Sequence, residues 1–200
     1  MNRDSYNRVA HAWALARAGF YGREREYLDM LVSGLAQGSF ILDLGCGTGR
    51  PMAEYVISLG YRVIGVDQAE CLLAKARAAF PNEEWVSSSI EGYGFQHRYA
   101  SAILWDSLFH IERARHAPIL KRVVEGLPVG GRLMLTVGGS EHPPFTDVMF
   151  GQAFFYDSNY PGDTERILQE LGCRILLGEF MNQPTSGRDK GRYAFVAERA

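Results

Sequence analysis

Apolar positions along this chain follow two periods. From residue 4 to 17, Tyr6, Val9, Ala10, Trp13 and Ala14 recur every three or four residues, the spacing of one helix face, with Asp4 or Ser5 placed to cap the start. Past Gly22, Tyr27, Leu28, Leu31 and Leu35 repeat that spacing and predict a second helix. The pattern then changes to short apolar runs at residues 40–44, 61–66, 84–88, 99–105 and 132–137, which read as strands, the run at 99–105 continuous enough for a central parallel one. Helical spacing returns between them. One helix follows Pro51, one carries Leu72, Leu73, Ala76 and Phe80 and stops at Pro81, and one starts at His116. Further on, Asp163 is placed to cap a helix carrying Ile167, Leu168 and Leu171, with Gly172 at its end. Two last strands, at 173–177 and 192–197, are joined by a polar stretch with no helical period, so they should pair antiparallel. Strands alternating with helices make this an α/β chain.

One junction carries most of the chemistry. The strand at 40–44 runs straight into Gly45-Cys46-Gly47-Thr48-Gly49, and Arg50-Pro51 then opens a helix. Glycine tolerates positive φ and lets a ligand approach the backbone, and a helix start offers free N–H groups. The next strand ends in Asp67, about twenty residues on, where nucleotide-binding strand-helix-strand units use a carboxylate to accept ribose hydroxyls. A ribose-bearing ligand is the first expectation. Nicotinamide dinucleotide sites require Gly-x-Gly-x-x-Gly/Ala, and here the third position is Arg50.

The octet Leu42-Asp43-Leu44-Gly45-Cys46-Gly47-Thr48-Gly49 resembles the first motif of class I S-adenosylmethionine-dependent methyltransferases, and the strand ending in Asp67 resembles their second. Trp105-Asp106-Ser107-Leu108-Phe109-His110-Ile111 is similar to their fourth, and the turn at Pro128-Val129-Gly130-Gly131 also fits. The resemblance implies one domain over residues 1–200 with a Rossmann-like three-layer sandwich. Its sheet would be mainly parallel and seven-stranded, with an antiparallel C-terminal hairpin strand, and the N-terminal helices of residues 1–38 would lie over the cofactor cleft. It implies S-adenosylmethionine as cofactor, S-adenosylhomocysteine as product and a small-molecule methyl acceptor.

By the same resemblance, Gly45, Cys46, Gly47 and Gly49 face the methionine and ribose portions, Asp67 takes the ribose hydroxyls and Gln68 lies beside the adenosine. Ser89 and Ile90 flank the adenine, Trp105 lies along the floor near the sulfonium, and Tyr6 and Tyr21 reach the ligand from the N-terminal helices. Ser89 departs from the pattern, because family members commonly carry an acid there. The polar candidates for chemistry are Asp106 and His110. An imidazole titrates near neutral pH and can take a proton from an acceptor, or it can simply hold its loop by bonding a carbonyl. Asp106 can likewise cap a turn.

The stretch 139–162 is punctuated by glycine and proline and dense in aromatics, among them Phe145, Phe154, Phe155 and Tyr156. It reads either as a substrate lid or as a surface hairpin anchored by those rings. His142-Pro143-Pro144-Phe145 is superficially similar to a motif of amino-group DNA methyltransferases, but that motif follows the fourth strand and this one the fifth. Arg188, Lys190 and Arg192 read as a grip for an anionic acceptor or as a solvated loop.

Composition narrows the partners. A net charge of −2 gives no sequence-wide basic footprint, so nucleic acid is not expected. Three scattered cysteines, Cys46, Cys71 and Cys173, suggest neither a disulfide framework nor a metal cluster, and no apolar run is long enough to span a bilayer. A cytoplasmic protein without a metal fits these features, and its oligomeric state stays open. Two other classes remain: a noncatalytic methyltransferase-like protein that binds adenosyl ligands, and an NAD-dependent oxidoreductase.

Overall fold

The computed structural model describes residues 2–95, 98–186 and 189–200. Helices α1 (Arg3–Ala16) and α2 (Glu24–Val32) lead into β1 (Phe40–Leu44), followed by α3 (Met52–Ser58), β2 (Arg62–Asp67), α4 (Glu70–Ala79), β3 (Glu84–Ser87) and β4 (Ser101–Leu104). Two 3-10 turns, Leu108–His110 and Arg113–Arg115, precede α5 (His116–Gly126) and β5 (Arg132–Gly138). The chain continues through β6 (Phe145–Met149), β7 (Gln152–Tyr156), α6 (Pro161–Glu170), β8 (Cys173–Asn182) and β9 (Arg192–Arg199).

Seven strands form one sheet in the order β3-β2-β1-β4-β5-β9-β8. The first five are parallel, and β9 runs antiparallel to both β5 and β8. This is the Rossmann-like arrangement expected from the sequence. Side chains alternate across a strand, so β1 feeds two cores: Ile41 packs with α2 and α3, and Leu42 and Leu44 pack on the face covered by α5 and α6. A strand buried on both faces has no polar side to show, hence its continuous apolar sequence.

Three local expectations need correction. Helix α2 does not lie over the cleft: Tyr27, Leu28, Leu31 and Val32 are buried on the sheet, in one layer with α3. Helix α1 alone covers the cleft, because its Tyr6 and Trp13 pack toward α4 instead of a strand. Neither Asp4 nor Ser5 caps α1, which starts behind Asn2, and the Ser5 hydroxyl instead donates to the Ala153 carbonyl at 2.7 Å. Asp163 lies inside the first turn of α6, whose cap position is Tyr160, and it pairs with Arg166.

The aromatic stretch is a hairpin. Strands β6 and β7 form their own two-stranded sheet, which docks on α1 through β7. Phe154 is fully buried with its ring beside Tyr6 and His110, and Phe145 stacks on Tyr156 at 5.2 Å. The rings anchor the hairpin and set it at the edge of the cleft.

Candidate active site

The cleft opens beyond the carboxyl ends of β1, β2 and β4, where open α/β sheets bind ligands. At its floor, Gly45 turns the chain with φ +85°, and a Cβ there would come within 2.4 Å of the Ser107 Cβ, so only glycine fits. The N–H groups of Gly45 and Cys46 both donate to the Val66 carbonyl, at 2.8 and 3.1 Å, which ties the loop to β2. Asp67 is held in turn by the N–H of Gly47 at 2.9 Å and that of Ala69 at 2.8 Å. Burial pushes the Asp67 carboxyl above its ordinary pKa, and those N–H bonds pull it partly back. A Cβ on Gly47 would meet nothing nearer than the Trp13 Nε1 at 3.7 Å.

Two more polar groups face this floor. Asp43 is buried, and desolvation first, then the charge of Asp67, raise its pKa to about 7. Ser107 Oγ is buried with no hydrogen-bond partner among the described residues, although native proteins satisfy most such groups. Cys46 lines the cleft as a protonated thiol, its pKa driven well up by burial.

The wall above comes from α1. Tyr6, Trp13 and Arg17 share one helical face and all line the cleft. Arg17 is fixed by Glu24, which is fully buried: Arg17 Nη2 donates to Glu24 Oε1 at 2.6 Å and the Trp105 indole N–H donates to the same oxygen at 2.8 Å. The Tyr21 backbone N–H donates to Glu24 Oε2 at 2.9 Å. One buried carboxylate thus joins the end of β4 to the start of α2 and the last turn of the cover.

Asp106 follows Trp105 with φ +50°, an uncommon conformation for a residue with a side chain. Its N–H donates to Thr136 Oγ1 at 2.7 Å, and its carboxylate accepts from Arg192 at 2.8 Å. His110 is clasped on both sides. Its Nδ1 lies 3.0 Å from the Phe155 carbonyl oxygen and 2.8 Å from the Asn2 amide nitrogen, and its Nε2 lies 2.8 Å from the Tyr6 hydroxyl. Burial lowers its pKa to about 4, so the ring is neutral at physiological pH.

The cleft brings together Tyr6, Gly45, Cys46, Gly47, Asp67, Gln68, Ile90, Trp105, Asp106 and His110. Three residues expected there are elsewhere. Tyr21 is exposed, its hydroxyl donating to the Ala16 carbonyl at 2.5 Å. A Cβ on Gly49 would lie 2.9 Å from Trp85 and 3.2 Å from Phe80, so this glycine serves packing behind the loop. Ser89 Oγ accepts the Gly92 N–H, and Ser88 and Glu91 line the cleft instead. Arg188 lies outside the described residues, and Arg192 is occupied by Asp106. Arg17 and Asp43 were missed. The 6-10-13-17 spacing would have put Arg17 on the Tyr6 face, and Asp43 was legible as the one charge in an apolar strand.

Residues 41–131 match a family model described as a methyltransferase domain. No sequence of curated function matches the chain at a significant level. Solved structures do match it. An S-adenosylmethionine-dependent methyltransferase from Methanosarcina mazei is 18% identical, with a TM-score of 0.72 over 90% of this chain and 98% of that one. A 1,6-didemethyltoxoflavin N1-methyltransferase from Burkholderia thailandensis, solved with its substrate and S-adenosylhomocysteine, is 19% identical with a TM-score of 0.71, covering 98% and 84%. A magnesium protoporphyrin IX methyltransferase from Synechocystis, solved with S-adenosylmethionine, is 18% identical with a TM-score of 0.70, covering 99% and 95%. The glycine loop and Asp67 lie inside the segment that matches the methyltransferase-domain model, and the seven-stranded sheet has the fold of these solved S-adenosylmethionine-dependent methyltransferases.

Proposed function

We propose that this protein transfers the methyl group of S-adenosylmethionine to a small organic acceptor. The observation that carries this reading is Asp67, fixed by the backbone N–H groups of Gly47, Gln68 and Ala69 at the edge of a glycine-floored cleft, its carboxylate oxygens still able to accept from a ligand. The unpartnered Ser107 Oγ and the buried Asp43 facing the same floor fit a ligand that carries its own polar and cationic groups. Structural neighbours named as methyltransferases of 1,6-didemethyltoxoflavin and of magnesium protoporphyrin IX support a small acceptor, as does the absence of a basic footprint.

When bound, S-adenosylmethionine supplies a methyl group already activated by its sulfonium charge. What remains for the protein is to bind, orient and exclude water. Asp67 holds the ribose hydroxyls, Gly47 gives close backbone contact, and Ile90 supplies apolar surface for the adenine. Arg17 faces the carboxylate of the methionine end, and Asp43, whose pKa of about 7 lets it ionise when a cation arrives, faces its ammonium. Cys46, kept protonated, is a poor nucleophile and so is not a competing acceptor. His110 acts as a clasp, because both ring nitrogens are engaged and a group with a pKa of about 4 is a weak base at neutral pH.

Calorimetric titration with S-adenosylmethionine and S-adenosylhomocysteine, with NADH as control, tests the reading. Both adenosyl ligands should bind, and Asp67→Ala should weaken them roughly a hundredfold, the loss of one to two charge-assisted hydrogen bonds at about 1.5–3 kcal/mol each. No adenosyl binding by the folded wild-type protein overturns it, and NADH binding would move the protein to the oxidoreductases.

A further inference from the structure

A second cavity, of about 430 Å³, opens over the ends of β5 and β9, on the far side of the Asp106–Arg192 ion pair from the glycine loop. Its volume lies in the range of small-ligand sites. Phe109, Phe145 and Tyr156 give it half-buried aromatic walls. It abuts the cofactor cleft: Arg192 lines the cavity while its partner Asp106 lines the cleft, and the Tyr156 ring lies 4.8 Å from that of His110.

The polar group of interest there is His142. Its Nδ1 lies 2.9 Å from the Pro143 carbonyl oxygen. A carbonyl can only accept, so in the neutral imidazole the proton sits on Nδ1 and Nε2 carries the bare lone pair. Among the described residues the ring's hydrogen bond is made at Nδ1, and none reaches Nε2. The ring is also immobilised. It packs edge-on against Phe145 at 5.0 Å, and the His142 carbonyl accepts from Arg113, whose Nε donates to Asp157 at 2.5 Å. Arg113 pairs with Asp157 and Arg192 with Asp106, and Asp147, Asp189 and Lys190 complete the charged lining around a rigid acceptor nitrogen beside half-buried aromatic faces.

We propose that this cavity is the acceptor site, and that it takes a planar aromatic ring bearing an N–H or O–H group, with that group donating to His142 Nε2. The inference rests on the methyltransferase reading above and adds the acceptor class and the residue that selects it. A ring without a donor would leave Nε2 unsatisfied and is disfavoured. The Asp106–Arg192 pair then marks where cleft and cavity meet.

Indole and benzofuran are a suitable probe pair, equal in shape and differing in the N–H. Titrated into isotope-labelled protein and followed by NMR, indole should bind with an affinity on the order of 1 mM, as befits a fragment. It should shift signals of Phe109, Phe145 and Tyr156, and saturating S-adenosylhomocysteine should not displace it. Benzofuran should bind roughly fivefold more weakly, the worth of one hydrogen bond. His142→Ala should remove that preference and leave S-adenosylhomocysteine affinity unchanged. Absence of indole binding, its displacement by S-adenosylhomocysteine, or equal affinity for the two probes in wild-type protein would each overturn the proposal, without need of any variant. Failure of S-adenosylhomocysteine to bind would instead strike at the methyltransferase reading, and the two failures are read separately.

Discussion

Asp43 gives the most exacting test of how the cleft floor is built. It is a carboxylate in the middle of β1, 3% exposed, and its pKa is raised from 3.8 to about 7 by burial and then by Asp67. Below about pH 3.8 the group is protonated folded or unfolded, and its contribution to stability is complete. Between 3.8 and about 7 the unfolded chain has released a proton that the folded protein still holds, so stability falls as pH rises, and above about 7 the loss is constant. Three pH units at about 1.4 kcal/mol each come to about 4 kcal/mol. Asp43→Asn substitutes a neutral isostere that does not titrate. The unfolding free energy of the variant minus that of wild type should therefore climb by about 4 kcal/mol from acid to mildly alkaline pH, most of it between about pH 5 and 7. Urea unfolding of both proteins across that range measures it. Subtraction cancels groups elsewhere, and relief of Asp67 from its neighbour's charge acts in the same direction. A difference that is flat, or that shrinks as pH rises, would mean that Asp43 is ionised with an adequate partner, and the account of the floor would be wrong.

Other consequences follow from named contacts. Glu24→Ala strands the buried Arg17 guanidinium and the Trp105 N–H and should cost about 3–5 kcal/mol in urea unfolding; a loss below about 1 kcal/mol would show the network to be incidental. Gly45→Ala drives a Cβ into Ser107 at positive φ and should destabilise the protein well beyond the strain of the conformation alone. Gly47→Ala has room, so it should cost only about 1–2 kcal/mol of strain while clearly weakening adenosyl-ligand binding; equal stabilities for the two variants would contradict the geometry. His110 should titrate at about 4 by NMR, and because its folded pKa is depressed, its contribution to stability is full above 6.5 and is lost as pH falls toward 4. A midpoint near 6.5 would mean that the ring is open to water.

The strands, the α/β alternation and the glycine loop were legible because each is a local matter. Period two or a continuous apolar run reports burial on one face or both, and three glycines in five residues report a backbone that must turn tightly. The antiparallel end of the sheet was legible too, from the absence of a helix between its last two strands. Periodicity says that a face is buried without saying against what. Helices α1 and α2 show the same spacing, yet one covers the cleft and the other the sheet. Likewise Gly45, Gly47 and Gly49 look equivalent in sequence, while in space one abuts Ser107, one faces the ligand cleft and one backs onto Trp85.

By itself, then, the sequence determined the strand-helix alternation, the antiparallel end of the sheet and the glycine loop at the strand ends, since these follow from near-neighbour patterning and turn chemistry. Only the tertiary structure decided which charges meet there. Asn2 reaches Phe155 across 153 residues, Trp105 reaches Glu24 across 81 and Asp106 reaches Arg192 across 86. Those pairings follow from how the elements pack, and packing turns His110 into a neutral clasp, lifts the Asp43 pKa to about 7 and sets the His142 ring edge-on to Phe145 of the aromatic hairpin.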